Sequence, residues 1–198
     1  MEPRVHVLVF DGFADWEPAH ALAELRRWGK QEVVSVGFTD ADVTSMGGLR
    51  VRPDRALADV RSEDVRLLIL PGGDMWERED AYPRAQLEIL VDEVLAAGRS
   101  VAAICGATVA MARARLLDDR RHTSNALSYL TEMVPTYRGS AHYDPALAVS
   151  DRGVITASGL GAVDFARAIF AELGVFSASD EALWYDMFKH GKIPAGVN

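Results

Sequence analysis

The single cysteine of the chain, Cys105, stands in a sequence that could make it a nucleophile. An apolar segment over residues 100–104 leads into it, and Gly106 and Ala107 follow before a run of helix-forming residues. This pattern predicts a buried strand, a tight turn and a helix that starts at the cysteine, as in a nucleophile elbow with Cys in the place of Ser. Because a helix N-terminus favours negative charge, we expect a lowered thiol pKa. A buried structural cysteine explains the same residues equally well.

A carboxyl group, Glu17, lies between Trp16 and Pro18 at the start of the first predicted helix. Two interpretations are open. The carboxylate can simply favour the helix N-terminus electrostatically. Alternatively, it can be a partly buried carboxyl that points into a site beside Trp16, with a raised pKa.

A turn sequence, Pro71-Gly72-Gly73, follows a short apolar strand. Glycines at such a point can bring bare backbone N–H groups close to a ligand, since no Cβ is in the way. An ordinary turn is the alternative, and nothing in these three residues alone decides against it.

Short apolar strands alternate with amphipathic helices around these residues. Predicted strands cover residues 5–10, 33–38, 67–70, 100–104, 146–149 and 154–157, with a small hairpin over 43–51. Predicted helices cover residues 19–28, 84–97, 127–133 (capped by Ser124 or Asn125), 162–173 and 180–188, together with the one after Cys105. This alternation indicates an α/β fold with a mostly parallel sheet covered on both faces. In such folds the site lies beyond the carboxyl ends of the strands, where Glu17, Gly72, Gly73, Cys105 and Gly159 collect.

Composition excludes several classes of function. The 198 residues are 49% hydrophobic and 25% charged, as expected for one globular domain, and the net charge of −8 argues against nucleic acid or an anionic membrane as a partner. No apolar run approaches the ~20 residues of a membrane helix. One cysteine allows neither an intrachain disulfide nor a zinc site of several thiolates. Residues 1–4 lead directly into a strand without a signal-peptide core, so we expect a cytoplasmic protein. We also expect that the protein uses no metal and no cofactor.

Five segments spread over nearly the whole chain form a recognisable set. They are Asp11 to Glu17, Leu70-Pro71-Gly72-Gly73, Ala102-Ala103-Ile104-Cys105, Thr123-Ser124 and Thr156-Ala157-Ser158-Gly159. Together they resemble the ThiJ/PfpI superfamily, which includes the parkinsonism-associated deglycase, bacterial intracellular protease-like proteins and stress proteins. The superfamily is related in fold to class I glutamine amidotransferases.

The resemblance implies a fold and a division of roles. It implies a flavodoxin-like three-layer sandwich, a single ThiJ/PfpI-like domain over residues 1–198, a homodimer and a small-molecule substrate. Cys105 would be the nucleophile and Glu17 the carboxyl that contacts its sulfur, while Gly73 and Gly106 would offer backbone N–H groups to an oxyanion. If Glu17 is protonated, it can donate a hydrogen bond to a thiolate.

The chain departs from the family pattern where a histidine is expected. Asn125 stands at the position of the usual histidine partner, His122 lies three residues earlier, and Gly106 rather than histidine follows Cys105. Asparagine can orient a neighbour but cannot act as a general base near neutral pH. We therefore expect Asn125, His122, Gly72 and Trp16 to line the site, and a Cys-His dyad is in doubt. His122 could reach the site from its loop, or it could be a solvated loop histidine.

Three functions remain open. Cys105 could add to a reactive aldehyde such as methylglyoxal in a glyoxalase- or deglycase-like enzyme. It could instead serve an amidase or a glutamine amidotransferase-like hydrolase, by analogy of fold. The third alternative is a non-enzymatic oxidative-stress sensor that works through oxidation of Cys105.

Overall fold

The computed structural model describes residues 2–193. Met1 and residues 194–198, which belong to the predicted domain 1–198, lie outside the described residues. Strands are β1 (Arg4–Leu8), β2 (Val33–Gly37), β3 (Val43–Thr44), β4 (Arg50–Val51), β5 (Arg55–Ala56), β6 (Val65–Leu70), β7 (Ser100–Ile104), β8 (Ala148–Asp151) and β9 (Val154–Ala157). Helices are α1 (Ala19–Arg27), α2 (Arg84–Ala96), α3 (Ala107–Arg113), α4 (Leu127–Met133), α5 (Ala162–Leu173) and α6 (Ala178–His190).

Seven strands form one sheet in the order β5-β2-β1-β6-β7-β9-β8. Its neighbours pair in parallel except for the antiparallel hairpin of β8 and β9 at one edge. The predicted hairpin over residues 43–51 is confirmed as the separate antiparallel pair of β3 and β4. The mostly parallel α/β architecture expected from the sequence is therefore confirmed.

Side chains of the central strands alternate between two cores, one on each face of the sheet. Leu68, Leu70 and Ala103 belong to the core that contains α2 and α3, whereas Ile69 and Ala102 belong to the core beneath α1 and α5. Strand β7 is buried at every position, which agrees with a strand covered on both faces. Helices therefore cover both faces of the sheet, and the carboxyl ends of β1, β6, β7 and β9 meet at one edge.

Two local predictions are wrong. Helix α3 begins at Ala107, so Cys105 lies in the turn and not at the first helical position. Helix α4 has Ala126 as its N-cap residue instead of Ser124 or Asn125. The side chain of Asn125 is used elsewhere, because it bonds to Cys105 and to the backbone of Gly159.

No helix within residues 2–193 combines the length and the apolar composition that crossing a membrane requires.

Candidate functional site

Cys105 forms the sharp turn between β7 and α3 with an unusual backbone conformation. Its φ is +58°, a left-handed value that few residues other than glycine adopt. The N–H of Cys105 donates to Ala157 O at 2.9 Å, and its carbonyl accepts from the N–H of Thr108 at 3.1 Å, so the turn is held from both sides. Such strain is typical of nucleophile elbows, where it lifts the reactive atom out of the strand.

This strain gives a stability prediction. Cys105→Gly should be more stable than Cys105→Ala by about 1 kcal/mol, since glycine adopts a positive φ without steric cost. Urea unfolding of the two variants measures the difference, and both lack the thiol, so its loss cancels. A Cys105→Gly variant clearly less stable than Cys105→Ala would contradict a strained elbow.

Glu17 is buried beside this turn. Its side chain is 1% exposed, and Gly72 N–H donates to its Oε2 at 2.6 Å. Burial raises the pKa of Glu17, while the Gly72 N–H and the Cys105 thiol act in the opposite direction. Of the two interpretations open from the sequence, the structure places Glu17 as a buried carboxyl next to the cysteine.

Two glycines close the space around Cys105 and Glu17. A Cβ added to Gly72 would lie 2.6 Å from Glu17 Oε2 and 2.8 Å from Cys105 Cβ. A Cβ added to Gly159 would lie 3.0 Å from Cys105 Sγ and 3.2 Å from Glu17 Oε1. Both positions therefore need glycine for close approach. The sequence placed Gly159 at this edge through the pattern Ser-Gly-Leu-Gly at the end of β9, but it assigned the residue no role in the site.

Substitution of Gly159 should therefore disturb the sulfur without unfolding the protein. Because its φ is not in the left-handed region, Gly159→Ala carries no backbone strain, but its methyl group would press on Sγ. We expect a loss of about tenfold to a hundredfold in the rate of Cys105 alkylation, comparable to a misplacement of about 1 Å at a reacting atom. The neighbouring Leu160→Ala, at an 88% exposed position, serves as the control and should leave the rate unchanged. Equal rates for both variants and the wild type would refute the close approach.

Asn125 completes the surroundings of the sulfur. Its Nδ2 donates to Cys105 Sγ at 3.3 Å, and its Oδ1 accepts from Gly159 N–H at 2.9 Å. The backbone N–H of Gly106 also bonds to the sulfur and, like Asn125, acts to lower the thiol pKa. Within residues 2–193, the N–H of Gly73 has no backbone or side-chain acceptor, whereas the N–H of Gly106 is engaged by the sulfur, so Gly73 is the free donor of the two glycines predicted to support an oxyanion.

The predicted lowering of the Cys105 pKa is wrong. Burial, followed by the negative charge of Glu17, raises the pKa of the thiol to about 11 and outweighs the two donors. Burial raises the pKa of the neighbouring Glu17 as well. The thiol and the Glu17 carboxyl are hydrogen-bonding partners, so a proton that leaves the sulfur has the carboxylate as an acceptor.

Two of the expected lining residues, His122 and Trp16, make no hydrogen bond to the sulfur within residues 2–193. His122 is fully buried, with Nε2 bonded to the Tyr137 hydroxyl at 2.5 Å and Nδ1 to Arg120 O at 2.7 Å. Burial lowers its pKa, so it is a neutral structural residue. Trp16 is 50% exposed and has no aromatic partner within the described part of the chain. No histidine among residues 2–193 hydrogen-bonds to Cys105, and these residues hold no cluster suited to a metal ion.

The DJ-1/PfpI family model matches residues 3–172. The chain belongs to the DJ-1/PfpI family. It is 36% identical over 196 residues to the uncharacterized protease YoaZ of Bacillus subtilis, covering 96% of this chain and 92% of that protein. It is 32% identical over 121 residues to a deglycase of Pyrococcus abyssi, covering 61% of this chain and 71% of the relative.

The fold agrees with this membership. The crystal structure of the DJ-1 superfamily protein Atu0886 from Agrobacterium tumefaciens matches with a TM-score of 0.86 and 37% identity, covering 96% of this chain and all of that one. The resemblance to the ThiJ/PfpI superfamily and the flavodoxin-like architecture are thereby confirmed. Relatives in the DJ-1/PfpI family carry the names protease and deglycase, and no specific activity is established for this chain.

Proposed function

We propose that this protein is a cysteine-dependent enzyme that acts on small reactive aldehydes, with a chemistry of the glyoxalase or deglycase type. The observation that carries the proposal is the buried carboxyl of Glu17 beside the Cys105 thiol at a strained elbow, from which we infer that the two groups share one proton. A raised thiol pKa alone would make a poor nucleophile, but a raised carboxyl pKa makes Glu17 a better base. The proton can therefore move from sulfur to the carboxylate as the sulfur attacks.

The first step is addition to the aldehyde carbon of methylglyoxal. A bond forms between Sγ and that carbon, the carbonyl electron pair moves to oxygen, and the thiol proton passes through Glu17 to this oxygen. The product is a hemithioacetal. The N–H of Gly73, which has no acceptor among residues 2–193, supports the developing oxyanion, and the N–H of Gly106 becomes available to it once the sulfur is bonded to carbon.

The second step is rearrangement within the hemithioacetal. Glu17 removes the proton from the carbon bonded to sulfur, the electron pair forms a double bond to the neighbouring carbon, and the ketone oxygen takes up a proton to give an enediol. The hydroxyl on the sulfur-bearing carbon then gives up its proton and becomes the thioester carbonyl, while Glu17 returns a proton to the neighbouring carbon, which gives a 2-hydroxyacyl thioester. Water then hydrolyses the thioester to the 2-hydroxy acid and restores the thiol. No external oxidant is needed, because one carbon is oxidised as its neighbour is reduced.

Amide hydrolysis has less support from the same geometry. Expulsion of an amine requires a proton donor near the leaving nitrogen. Asn125 cannot supply it, and His122 is committed to Tyr137 and Arg120, so Glu17 alone would have to deliver the thiol proton to the leaving nitrogen. An oxidation sensor would use the same thiolate but would leave the free donor of Gly73 without a role.

Product analysis tests the proposal directly. The purified wild-type protein is incubated with methylglyoxal, and the products are followed by NMR in deuterated water. We expect 2-hydroxy acid to accumulate with turnover, and an amide substrate such as a glutamine anilide to remain intact. Amide turnover without aldehyde turnover would overturn the proposal in favour of a hydrolase. Sulfur oxidation by peroxide without any turnover would overturn it in favour of a sensor.

We further propose a cytoplasmic homodimer, as expected for a member of this family. Sedimentation equilibrium measures the mass of the particle, and a monomer at micromolar concentration would contradict the dimer.

A further inference from the structure

A second pocket, separate from the Cys105 site, opens between α1 and α6. It has a volume of about 420 Å³, and none of its lining residues belongs to the Cys105 site. Most of its wall is apolar, formed by Trp28, Phe176, Leu183, Trp184, Met187 and Phe188. Several of these side chains are exposed to a degree unusual for their size, including Trp28 at 60% and Leu183 at 46%. The volume is in the range of small-molecule sites.

Two residues of the same wall carry buried polar atoms without partners. Glu24 is 3% exposed, and its Oε1 accepts from Arg27 Nη1 at 3.3 Å. Its Oε2 is buried and has no hydrogen-bond partner among residues 2–193, and the same holds for Nε1 of Trp184. A buried carboxylate oxygen without a donor costs free energy, since it has lost its water and gained nothing in return.

We propose that this pocket binds a small organic ammonium ion with an aromatic or alkyl body. The buried carboxylate of Glu24 supplies the negative charge, and its attraction acts at low dielectric without requiring solvent exposure of the oxygen. Phe188 is 43% exposed, and one face of its ring is stacked on Trp184 at a centroid distance of 4.9 Å, so its other face is the π-surface offered to the cation. The remaining apolar side chains match the body of the ligand.

The charges around the pocket favour a cation over an anion. Glu24 and Asp180 line it from α1 and α6, against one positive residue, Arg27. The guanidinium of Arg27 is 65% exposed, so its pair with Glu24 is weak and open to competition. An ammonium ion can therefore approach the same carboxylate from the pocket side.

Binding of 2-phenylethylammonium tests the proposal, with 2-phenylethanol as its uncharged match. Tryptophan fluorescence of the full-length protein gives the dissociation constants at neutral pH. We expect saturable binding of the amine about tenfold tighter than that of the alcohol, the difference typical of a hydrogen bond to a charged group. Equal affinities for the two probes, or no saturation, would overturn the proposal.

Substitutions in the pocket test whether the difference in affinity between the amine and the alcohol arises there. Glu24→Gln should weaken the amine about tenfold and leave the alcohol unchanged, whereas Phe188→Ala should weaken both. Arg27→Ala should tighten the amine, because it removes the competing cation. The exposed Glu93→Gln on α2 is the matched control and should change nothing. A loss of amine affinity in Glu93→Gln equal to that in Glu24→Gln would contradict the assignment.

Binding of the ammonium ion does not depend on the proposed aldehyde chemistry at Cys105. Cys105→Ala should bind the amine as the wild type does, so failure of one proposal leaves the other intact. If a second copy of the chain covers this face, the pocket will not bind the amine, and Phe188→Ala will dissociate a dimer in sedimentation. That pair of results would overturn the ammonium site.

Discussion

Glu17→Gln is expected to lower kcat/KM for methylglyoxal by about 10²- to 10⁴-fold, the usual loss when a general acid–base group is removed. Glutamine keeps the shape of the side chain and can still accept from Gly72 N–H, but it cannot take the thiol proton. The thiol pKa should nevertheless fall below about 11, because the negative charge that raises it is gone. If Glu17→Gln has a more acidic thiol but almost no turnover, then turnover requires proton transfer to Glu17, and an acidic thiol is not enough.

Urea unfolding of Glu17→Gln tests whether its loss of activity is caused by unfolding of the protein. A carboxyl with a raised folded pKa favours the folded state below its unfolded pKa and loses this contribution as pH rises through the folded value. At neutral pH the wild type therefore bears the cost of the buried charge, and Glu17→Gln should be at least as stable in urea unfolding. Its advantage should shrink on acidification. Glu93→Gln serves as the exposed control, and full activity in Glu17→Gln would refute the role of the carboxylate.

Cys105→Ser is expected to reduce turnover by about 10³-fold or more, because it removes the nucleophilic sulfur. A serine hydroxyl at the same elbow would have to give its proton to Glu17 as well, and its intrinsic pKa lies far above that of a thiol. The hydroxyl is close in size to the thiol, so the fold should be retained. Turnover is measured by loss of methylglyoxal, with lactate as the product.

A thermal unfolding curve provides the control for Cys105→Ser. The elbow conformation and the bonds from Ala157 and Thr108 are made by the backbone, so they persist in the variant. We expect a melting temperature within a few degrees of the wild type. Retention of more than about a tenth of the activity would mean that the sulfur is not the nucleophile.

The sheet and its helices could be predicted because the pattern of apolar residues in each segment agrees with the faces that the segment buries in the structure. Strand β7 is apolar throughout, and its small side chains allow both faces to be covered. The helical spacing of α2 and α5 likewise follows the cores that they contact. Strand β5 was missed because Arg55 and Ala56 form only two pairs with β2, too few to leave a pattern in the sequence.

The site was predictable in its members but not in its electrostatics. Cys105, Glu17 and the glycines could be placed at one edge because parallel strands end together. The direction of the thiol pKa depends on how deeply the sulfur is buried and on the distance to Glu17, and neither is encoded in local sequence. For the same reason the sequence could not show that His122 turns towards Tyr137 while Asn125 reaches the sulfur.

The central claim is that Cys105 and Glu17 share one proton, and the pH dependence of Cys105 alkylation by iodoacetamide tests it most directly. For the wild type we expect a rate that is nearly constant through the neutral range, set by the fraction of pairs with the proton on Glu17. The rate should rise again only as the pH approaches about 11, where the last proton leaves.

Glu17→Gln has no second site for the proton and should lose the plateau, with a rate that rises about tenfold per pH unit up to a single thiol pKa. A plateau in the wild type that disappears in this variant is the predicted result. A wild-type rate that instead rises continuously through the neutral range, with the same profile as Glu17→Gln, would contradict the shared proton and with it the proposed mechanism.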